Sequence, residues 1–307
     1  MSDMTVPFKS GFISILGRPN VGKSTLFNRL LGDKIAIVAE KPQTTRNRIL
    51  GIKNTGNAQL IFLDTPGIHQ GRSELNERMV RTAIASGRDA DVLLFLIEAT
   101  SPAIEKDRKV IESLRGSLGV PILVINKIDA VKKKNLLPIM DQYQKLHPFK
   151  EIIPVSALTG EGMDNLLDQI LQVLPESHPY YSEDIATDQT ERFWISEIIR
   201  EKVIHQSYQE IPYSTAVTID EFKEHPEKNL VVIKATIHVE RDSQKRILIG
   251  KGGQKLRKIG EEARKEAEAF WGTRVFLELW VNVEEGWTRD PRALNRLGYP
   301  PTLNQSA

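Results

Sequence analysis

The octapeptide Gly17-Arg18-Pro19-Asn20-Val21-Gly22-Lys23-Ser24 has the residue types and the spacing to hold phosphate. Its glycines let main-chain N–H groups approach phosphate oxygens, and a helix starting at its end adds the positive pole of its dipole. Lys23 is spaced to reach the terminal phosphates; the Ser24 hydroxyl, followed by Thr25, is spaced to ligate magnesium. Forty residues after Ser24, the apolar run Leu60-Ile61-Phe62-Leu63 ends in Asp64-Thr65-Pro66-Gly67. A strand ending in Asp-x-x-Gly partners a phosphate loop, with Asp64 holding the metal and the Gly67 N–H meeting the outermost phosphate.

A third group of residues selects the base. Asn126-Lys127-Ile128-Asp129 follows the apolar run Ile122–Ile125, at the carboxyl edge of a strand, where doubly wound sheets bind ligands. A carboxylate at Asp129 accepts hydrogen bonds from N1–H and the N2 amino group of guanine. Adenine offers neither donor, so a buried Asp129 would be left unpaired against it. Val155-Ser156-Ala157-Leu158 adds a further strand-end loop facing the base.

These groups need an α/β scaffold. Strand-like runs at 12–16, 59–63, 92–97, 121–125 and 152–155 alternate with amphipathic stretches. The near-continuous apolar runs predict a buried, mostly parallel sheet with helices on both faces. The polar, proline-bounded stretch from Pro175 reads as a linker. Beyond it the patterns predict a helix near 190–207, strands near 214–221 and 229–240, a turn-helix at 242–270 and a strand at 274–283. The division is therefore a first domain at 1–174, a linker at 175–189, a smaller α+β domain of order α-β-β-α-α-β at 190–284, and a tail at 285–307.

The 307 residues include no cysteine, which excludes disulfides, zinc fingers and thiol catalysis. Residues 1–174 carry 23 Lys and Arg against 18 Asp and Glu, and the remainder 19 against 22, so any nucleic-acid surface must be a local patch. No apolar run reaches the roughly 18 residues of a membrane helix, and no signal-peptide core is present. A cytoplasmic protein is expected, with peripheral membrane contact left open.

Such a patch exists. Ile247-Leu248-Ile249-Gly250-Lys251-Gly252-Gly253-Gln254 holds a G-x-x-G turn, and residues 241–258 carry seven Lys and Arg against one Asp. A bare G-x-x-G also serves as a plain helix–helix turn. Within an α-β-β-α-α-β order it resembles the KH-domain loop that clamps single-stranded nucleic acid. That assigns RNA contacts to Arg241, Lys245, Arg246, Gly250, Lys251, Gly252, Gly253, Lys255 and Arg257, with Arg289 and Arg292 adding to them from the tail, which continues to Arg296 and Tyr299. Leu256, Ile259, Ala263, Ala267 and Phe270 recur at helical spacing as a buried face. Of Trp271, Trp280 and Trp287, two are expected in the core, with Trp280 packed on the last strand.

The four boxes in this order resemble the translation-factor branch of P-loop GTPases. With Lys41-Pro42-Gln43-Thr44-Thr45-Arg46 before the second box and Gly-Lys-Gly-Gly in the KH turn, the whole chain closely resembles the Era family. The resemblance implies a bacterial GTPase that binds the 3′ region of small-subunit ribosomal RNA and assists assembly of the small ribosomal subunit, nucleotide state switching its RNA affinity. It implies a monomer with Mg2+ held by Ser24, Thr45 and Asp64, Thr44 being the alternative to Thr45. Lys23, Thr45, Gly67 and Asn20 would carry catalysis. It also allows association with the inner face of the cell membrane. Where many GTPases place a glutamine, Ile68 stands, so intrinsic hydrolysis should be slow and stimulated by RNA. Asn20 matches a potassium ligand of GTPases with apolar residues there; the alternative is that it only stabilises the loop. Arg18 is equally open between a role and a solvated side chain. A tRNA-modifying GTPase would need a C-terminal cysteine, and a tandem-GTPase ribosome factor a second phosphate loop; neither is present. An RNA-binding module merely regulated by GTP is the alternative of another class.

Overall fold

The computed structural model describes residues 7–69, 73–113 and 116–301. It divides into two compact units, Met1–Ala36, Thr45–Gly71 and Met79–Asp188 in one, Ile37–Thr44, Arg72–Arg78 and Gln189–Ala307 in the other.

The first unit is built on a six-stranded sheet. Its elements run β1 (Lys9–Gly17), α1 (Lys23–Leu31), β2 (Ile49–Thr55), β3 (Ala58–Asp64), α2 (Glu74–Arg88, assigned to this unit from Met79 on), β4 (Val92–Glu98), α3 (Ile104–Ser113), β5 (Val120–Asn126), α4 (Leu136–Leu146), β6 (Glu151–Pro154) and α5 (Met163–Val173). The strand order is β2-β3-β1-β4-β5-β6, parallel throughout except for β2 against β3. Val92–Ile97 is buried at every position, as expected of a strand covered on both faces. β2 is absent from the sequence-based prediction. Its Gly51, Lys53 and Asn54 interrupt the apolar pattern, and it forms because β3 offers it an antiparallel partner across a tight turn.

Residues 175–188 are not a free linker. Ser10 N–H donates to Pro175 O, Ser177 N–H to Phe8 O and Ile52 N–H to Ala186 O. The Gln59 carboxamide accepts from Tyr180 N–H and Tyr181 N–H and donates to Tyr181 O. The strap thereby covers the edge strand β2, whose open backbone groups would otherwise face solvent.

The second unit holds α6 (Glu191–Gln206), β7 (Ala216–His225), β8 (Leu230–Val239), α7 (Asp242–Ile249), α8 (Gln254–Trp271), β9 (Arg274–Val283) and α9 (Pro291–Arg296). Its sheet has the order β7-β8-β9, with β7 antiparallel and β9 parallel to β8. β8 alternates half-buried and buried residues along its whole length. Its buried set packs with Ile195, Ile199 and Val203 of α6 and Ile259, Ala263 and Ala267 of α8. Ile37 is part of this core. The segment it begins is tied to α6: Val38 N–H donates to Glu201 Oε1 at 2.9 Å, Lys41 Nζ to Ile204 O at 2.6 Å, and the buried Arg200 guanidinium to Thr44 O. Arg78 is held the same way, donating to Asn295 Oδ1 and Tyr299 O.

Two aromatic expectations are corrected. Phe270 and Trp280 are each about three-fifths exposed. Phe270 sits in the last turn of α8, where it stacks on Trp194 at a centroid distance of 4.2 Å. Trp280 faces out because β9 directs Val275, Leu277, Leu279 and Val281 to the core, and residues between them take the other face.

Candidate functional site

In the first unit, the loop between β1 and α1 is shaped by three residues in left-handed or related conformations: Gly17 (φ 148°), Asn20 (φ 66°) and Gly22 (φ 98°). A side chain at Gly22 would collide with Asn126 Nδ2, which explains the glycine. The loop carbonyls are committed: Gly17 O accepts from Ile68 N–H, Asn20 O from Lys127 Nζ, Val21 O from Asn126 Nδ2 and Gly22 O from Leu26 N–H. With its carbonyl edge occupied, the loop presents its N–H edge to an incoming anion.

Lys23 opens α1 and is buried, its Nζ donating to Arg18 O at 3.0 Å. Burial pushes its ammonium down to about 8; Asp64 opposes the shift and Arg18 adds to it. Asp64, at the end of β3, is fully buried, and burial raises its carboxyl above the usual range against the pull of Lys23, Ser24 and Thr45. Asp64 Oδ2 accepts from Ser24 Oγ at 2.7 Å and Thr45 Oγ1 at 3.0 Å, and the two hydroxyls lie 2.8 Å apart. Asp64 Oδ1 has no hydrogen-bond partner among the described residues. Two hydroxyls converging on a buried carboxylate with an orphaned oxygen form a set of hard oxygen donors that fits Mg2+. The Thr44 hydroxyl instead turns back to Lys41 O at 2.7 Å. Thr45, not Thr44, is therefore brought to this cluster.

Gly67 approaches the loop so closely that a Cβ there would stand 2.7 Å from Pro19 N. Thr65 and Pro66 are buried beside it, and the Thr65 hydroxyl is taken by Ile15 O, so that side chain is spent on the scaffold. Ile68 packs in the core with Leu16, Ala83 and Phe95, which puts a non-polar, inward-facing side chain where a glutamine would otherwise stand.

The residues expected to select the base come together at the ends of β5 and β6. Asn126 is buried and bridges two loops, its Nδ2 on Val21 O and its Oδ1 accepting from Ala157 N–H. Lys127 (φ 63°) ties Asn20 O to Glu98. Asp129 accepts from Ser156 Oγ at 2.6 Å. Asp129 itself is exposed, on the short helical turn 128–130. For Arg18, left open between a role and a solvated side chain, the structure shows a partner. Its guanidinium is joined to the buried Asp107.

In the second unit, Gly250, Gly252 and Gly253 all have positive φ (71°, 57° and 77°). They turn the chain from α7 into α8. Lys251, Arg246, Arg257 and Arg241 are exposed around the turn, whereas Lys245 and Lys255 are half-buried. Burial, with Lys41 near it, lowers the Lys255 ammonium from its usual value. Beside the turn lies a groove of about 340 Å3, walled by Gly253 of the turn, by Leu256, Arg257, Gly260, Glu261 and Arg264 of α8 and by Leu277 and Leu279 of β9. The groove residues beyond Arg257 were missed from the sequence, although the alternation along β9 marks Leu277 and Leu279 as facing the helices. Arg289 and Arg292 are exposed. The rest of the tail is packing: Trp287 is fully buried with its indole N–H on Ser214 O, Tyr299 stacks on it, and Arg296 pairs with Glu284. Residues 302–307 of the tail lie outside the described residues.

Comparison with known proteins agrees with both halves. Residues 12–127 match the family of 50S ribosome-binding GTPases, and residues 210–288 match the KH domain. The chain is 54% identical over 295 residues, 96% of each sequence, to the GTPase Era of Syntrophus aciditrophicus (strain SB). Its fold matches a crystal structure of Era in complex with MgGDPNP and nucleotides 1506–1542 of 16S ribosomal RNA, with a TM-score of 0.93 and 45% identity over 95% of this chain and 99% of that one. It matches a single-residue variant of Aquifex aeolicus Era bound to GDP.AlF4- with a TM-score of 0.91 and 44% identity, over 95% and 100% of the two chains. A likeness of this extent, running through the phosphate loop and the glycine-rich turn alike, makes the chain a member of the GTPase Era family.

Proposed function

We propose that this protein binds and hydrolyses GTP in its first unit, binds the 3′ region of small-subunit ribosomal RNA through its second, and assists assembly of the small ribosomal subunit, nucleotide state switching its RNA affinity. Residues 1–174 serve as the GTPase domain, 175–189 as the connection, 190–284 as the KH domain and 285–307 as the tail. The observation that carries the reading is the convergence of Ser24, Thr45, Asp64 and Lys23 behind one phosphate loop, in a chain that also carries a glycine turn, with exposed basic residues around it, beside a groove. The structural relative bound to MgGDPNP and 16S ribosomal RNA supports both halves.

In this reading Ser24, Thr45 and Asp64 hold Mg2+, whose chemistry when bound is to neutralise charge on the terminal phosphates. The loop from Gly17 to Ser24 cradles the phosphates with its N–H edge, and Lys23 bonds their outer oxygens. Gly67 lends an N–H to the outermost phosphate. Asn126 and Lys127 shape the base pocket, Asp129 accepts the guanine N–H groups, and Ser156 holds Asp129 in place. Because Ile68 cannot orient water, the missing help comes from outside the second box, with RNA as stimulator and K+ at Asn20 as an added charge. The exposed Arg241, Arg246, Lys251 and Arg257, with Lys245, Lys255, Arg289 and Arg292, meet RNA phosphates, and the groove receives bases. The protein acts as a cytoplasmic monomer, and contact with the inner membrane face is compatible with this arrangement.

The test is crosslinking in cells followed by sequencing of the bound RNA, with the doubly substituted Lys251→Asp, Gly252→Asp protein as control. Reads concentrated at the 3′ end of small-subunit ribosomal RNA, and lost in the variant, are expected. Scattered reads that the variant leaves unchanged would overturn the RNA assignment.

A further inference from the structure

Behind the phosphate loop lies a polar chain that phosphate binding itself does not use. Asp107, on α3, is a fully buried carboxylate, and Tyr143, on α4, is a fully buried phenol. Arg18 Nε donates to Asp107 Oδ1 at 2.6 Å, and Tyr143 Oη donates to Asp107 Oδ2 at 2.5 Å. The same guanidinium reaches Ser101 O, just ahead of α3, at 3.3 Å. Burial and the neighbouring carboxylate hold the Tyr143 phenol above its usual range, so its hydroxyl keeps the proton it donates. Each oxygen of the buried carboxylate therefore has its own donor.

Such an arrangement needs a reason beyond stability. Buried ion pairs are often no better for stability than apolar side chains of the same volume, and their best-attested use is to specify one geometry. The geometry specified here is that of Arg18. This residue stands between Gly17 and Pro19, in a loop with three positive-φ residues, and its main-chain carbonyl is the acceptor for Lys23 Nζ. The carbonyls of Gly17, Asn20 and Val21 are held by groups in or beside the nucleotide boxes: Ile68 N–H, Lys127 Nζ and Asn126 Nδ2. The Arg18 carbonyl alone among these is set by a side chain anchored on the far side, in α3 and α4.

We propose that Asp107 and Tyr143 are positioning residues for GTP hydrolysis: they fix the Arg18 guanidinium, and through the Arg18 carbonyl they fix the Lys23 ammonium against the phosphates. The inference rests on Lys23 as the phosphate-binding lysine. It makes the α3–α4 face, which reaches the phosphate loop only through Arg18, a determinant of turnover. A Lys23 ammonium displaced by even a fraction of an ångström binds the ground state nearly as well, but loses the interaction that strengthens as charge moves in the transition state. Disturbing the chain should therefore lower kcat more than it raises KM.

The full-length protein is assayed for GTP turnover as wild type, Tyr143→Phe, Asp107→Asn, and the double variant Arg18→Met, Asp107→Leu, with thermal unfolding in parallel. Tyr143→Phe keeps the packed ring and removes only the donor; a fall in kcat of about threefold to tenfold with KM nearly unchanged is expected. Asp107→Asn should lower kcat further, by about tenfold or more. The double variant replaces the buried charges with apolar groups and should recover thermal stability, while its kcat stays low. Wild-type kcat in Tyr143→Phe and in the stable double variant would overturn the proposal, because the chain would then be structural alone. Lys23→Ala separates the premises. Normal GTP binding and turnover in that variant would overturn the assignment of Lys23 itself. Loss there beside wild-type turnover in the other variants would overturn only the positioning role.

Discussion

Lys23 shows how far a residue's chemistry is set by its surroundings. Its ammonium, pushed down to about 8 by burial, has a folded value below the unfolded one. Its contribution to the stability of the nucleotide-free protein therefore rises with pH between about 8 and the usual 10.5, because the unfolded chain binds the extra proton in that window. Phosphate oxygens beside it favour the charged form. GDP binding at pH 8 should then take up about half a proton, and much less at pH 7, where Lys23 is mostly charged already. Calorimetry in buffers of different ionisation enthalpy measures this directly. Equal enthalpies across buffers at pH 8 would mean that Lys23 does not meet the phosphates. The identity of Lys23, Ser24, Asp64 and Asn126 was legible in the sequence because each belongs to a motif whose spacing is set by the ligand. The choice of Thr45 over Thr44 was not, since two adjacent hydroxyls differ only in which way the backbone turns them. The exposure of Asp129 and the burial of Asp107 were hidden for the same reason: both follow from which elements lie alongside.

Among the elements, long apolar strands were the most legible, and the edge of the first sheet the least. β1, β3, β4 and β5 announce themselves by apolar runs that end up mostly buried, whereas β2 and the strap at 175–188 exist only through the neighbours they pair with. Gln59 joins the two. It is buried on β3, and its carboxamide satisfies the N–H groups of Tyr180 and Tyr181 and the carbonyl of Tyr181. Gln59→Leu keeps the volume but leaves those groups without their partner. It should cost about 2–3 kcal/mol in urea unfolding and speed proteolytic cutting within residues 176–187. An unchanged urea midpoint would show that solvent replaces the carboxamide without cost. In α8 the helical period predicted a buried face correctly at Ile259, Ala263 and Ala267, and failed at Phe270, where the last turn gives the core Trp271 and leaves Phe270 stacked on Trp194. Trp280 failed through parity, because on a strand of alternating faces a large aromatic is not by itself a core residue.

At the scale of the whole molecule, membership of a unit does not follow chain order. Ile37 lies early in the sequence, between α1 and β2, yet it is buried in the core formed by Ile195, Ile199, Ile233 and Ile259. Ile37→Ala should therefore cost about 2–4 kcal/mol in the second unit. In hydrogen exchange the amides of α6 and β8 should then exchange faster, with those of β1, β4 and β5 unchanged. Faster exchange confined to the strands of the first sheet would contradict this assignment. The sequence by itself determined the chemistry, since phosphate, metal and guanine each demand particular groups at particular separations along the chain, and it determined both fold types, since apolar periodicity dictates which faces must be buried. Only the tertiary structure decided which threonine joins Asp64, that Arg18 is anchored from behind by Asp107 and Tyr143, and that Ile37–Thr44 packs with α6. Those outcomes depend on contacts between residues far apart in the chain, and no local pattern records such contacts until packing selects one set of them.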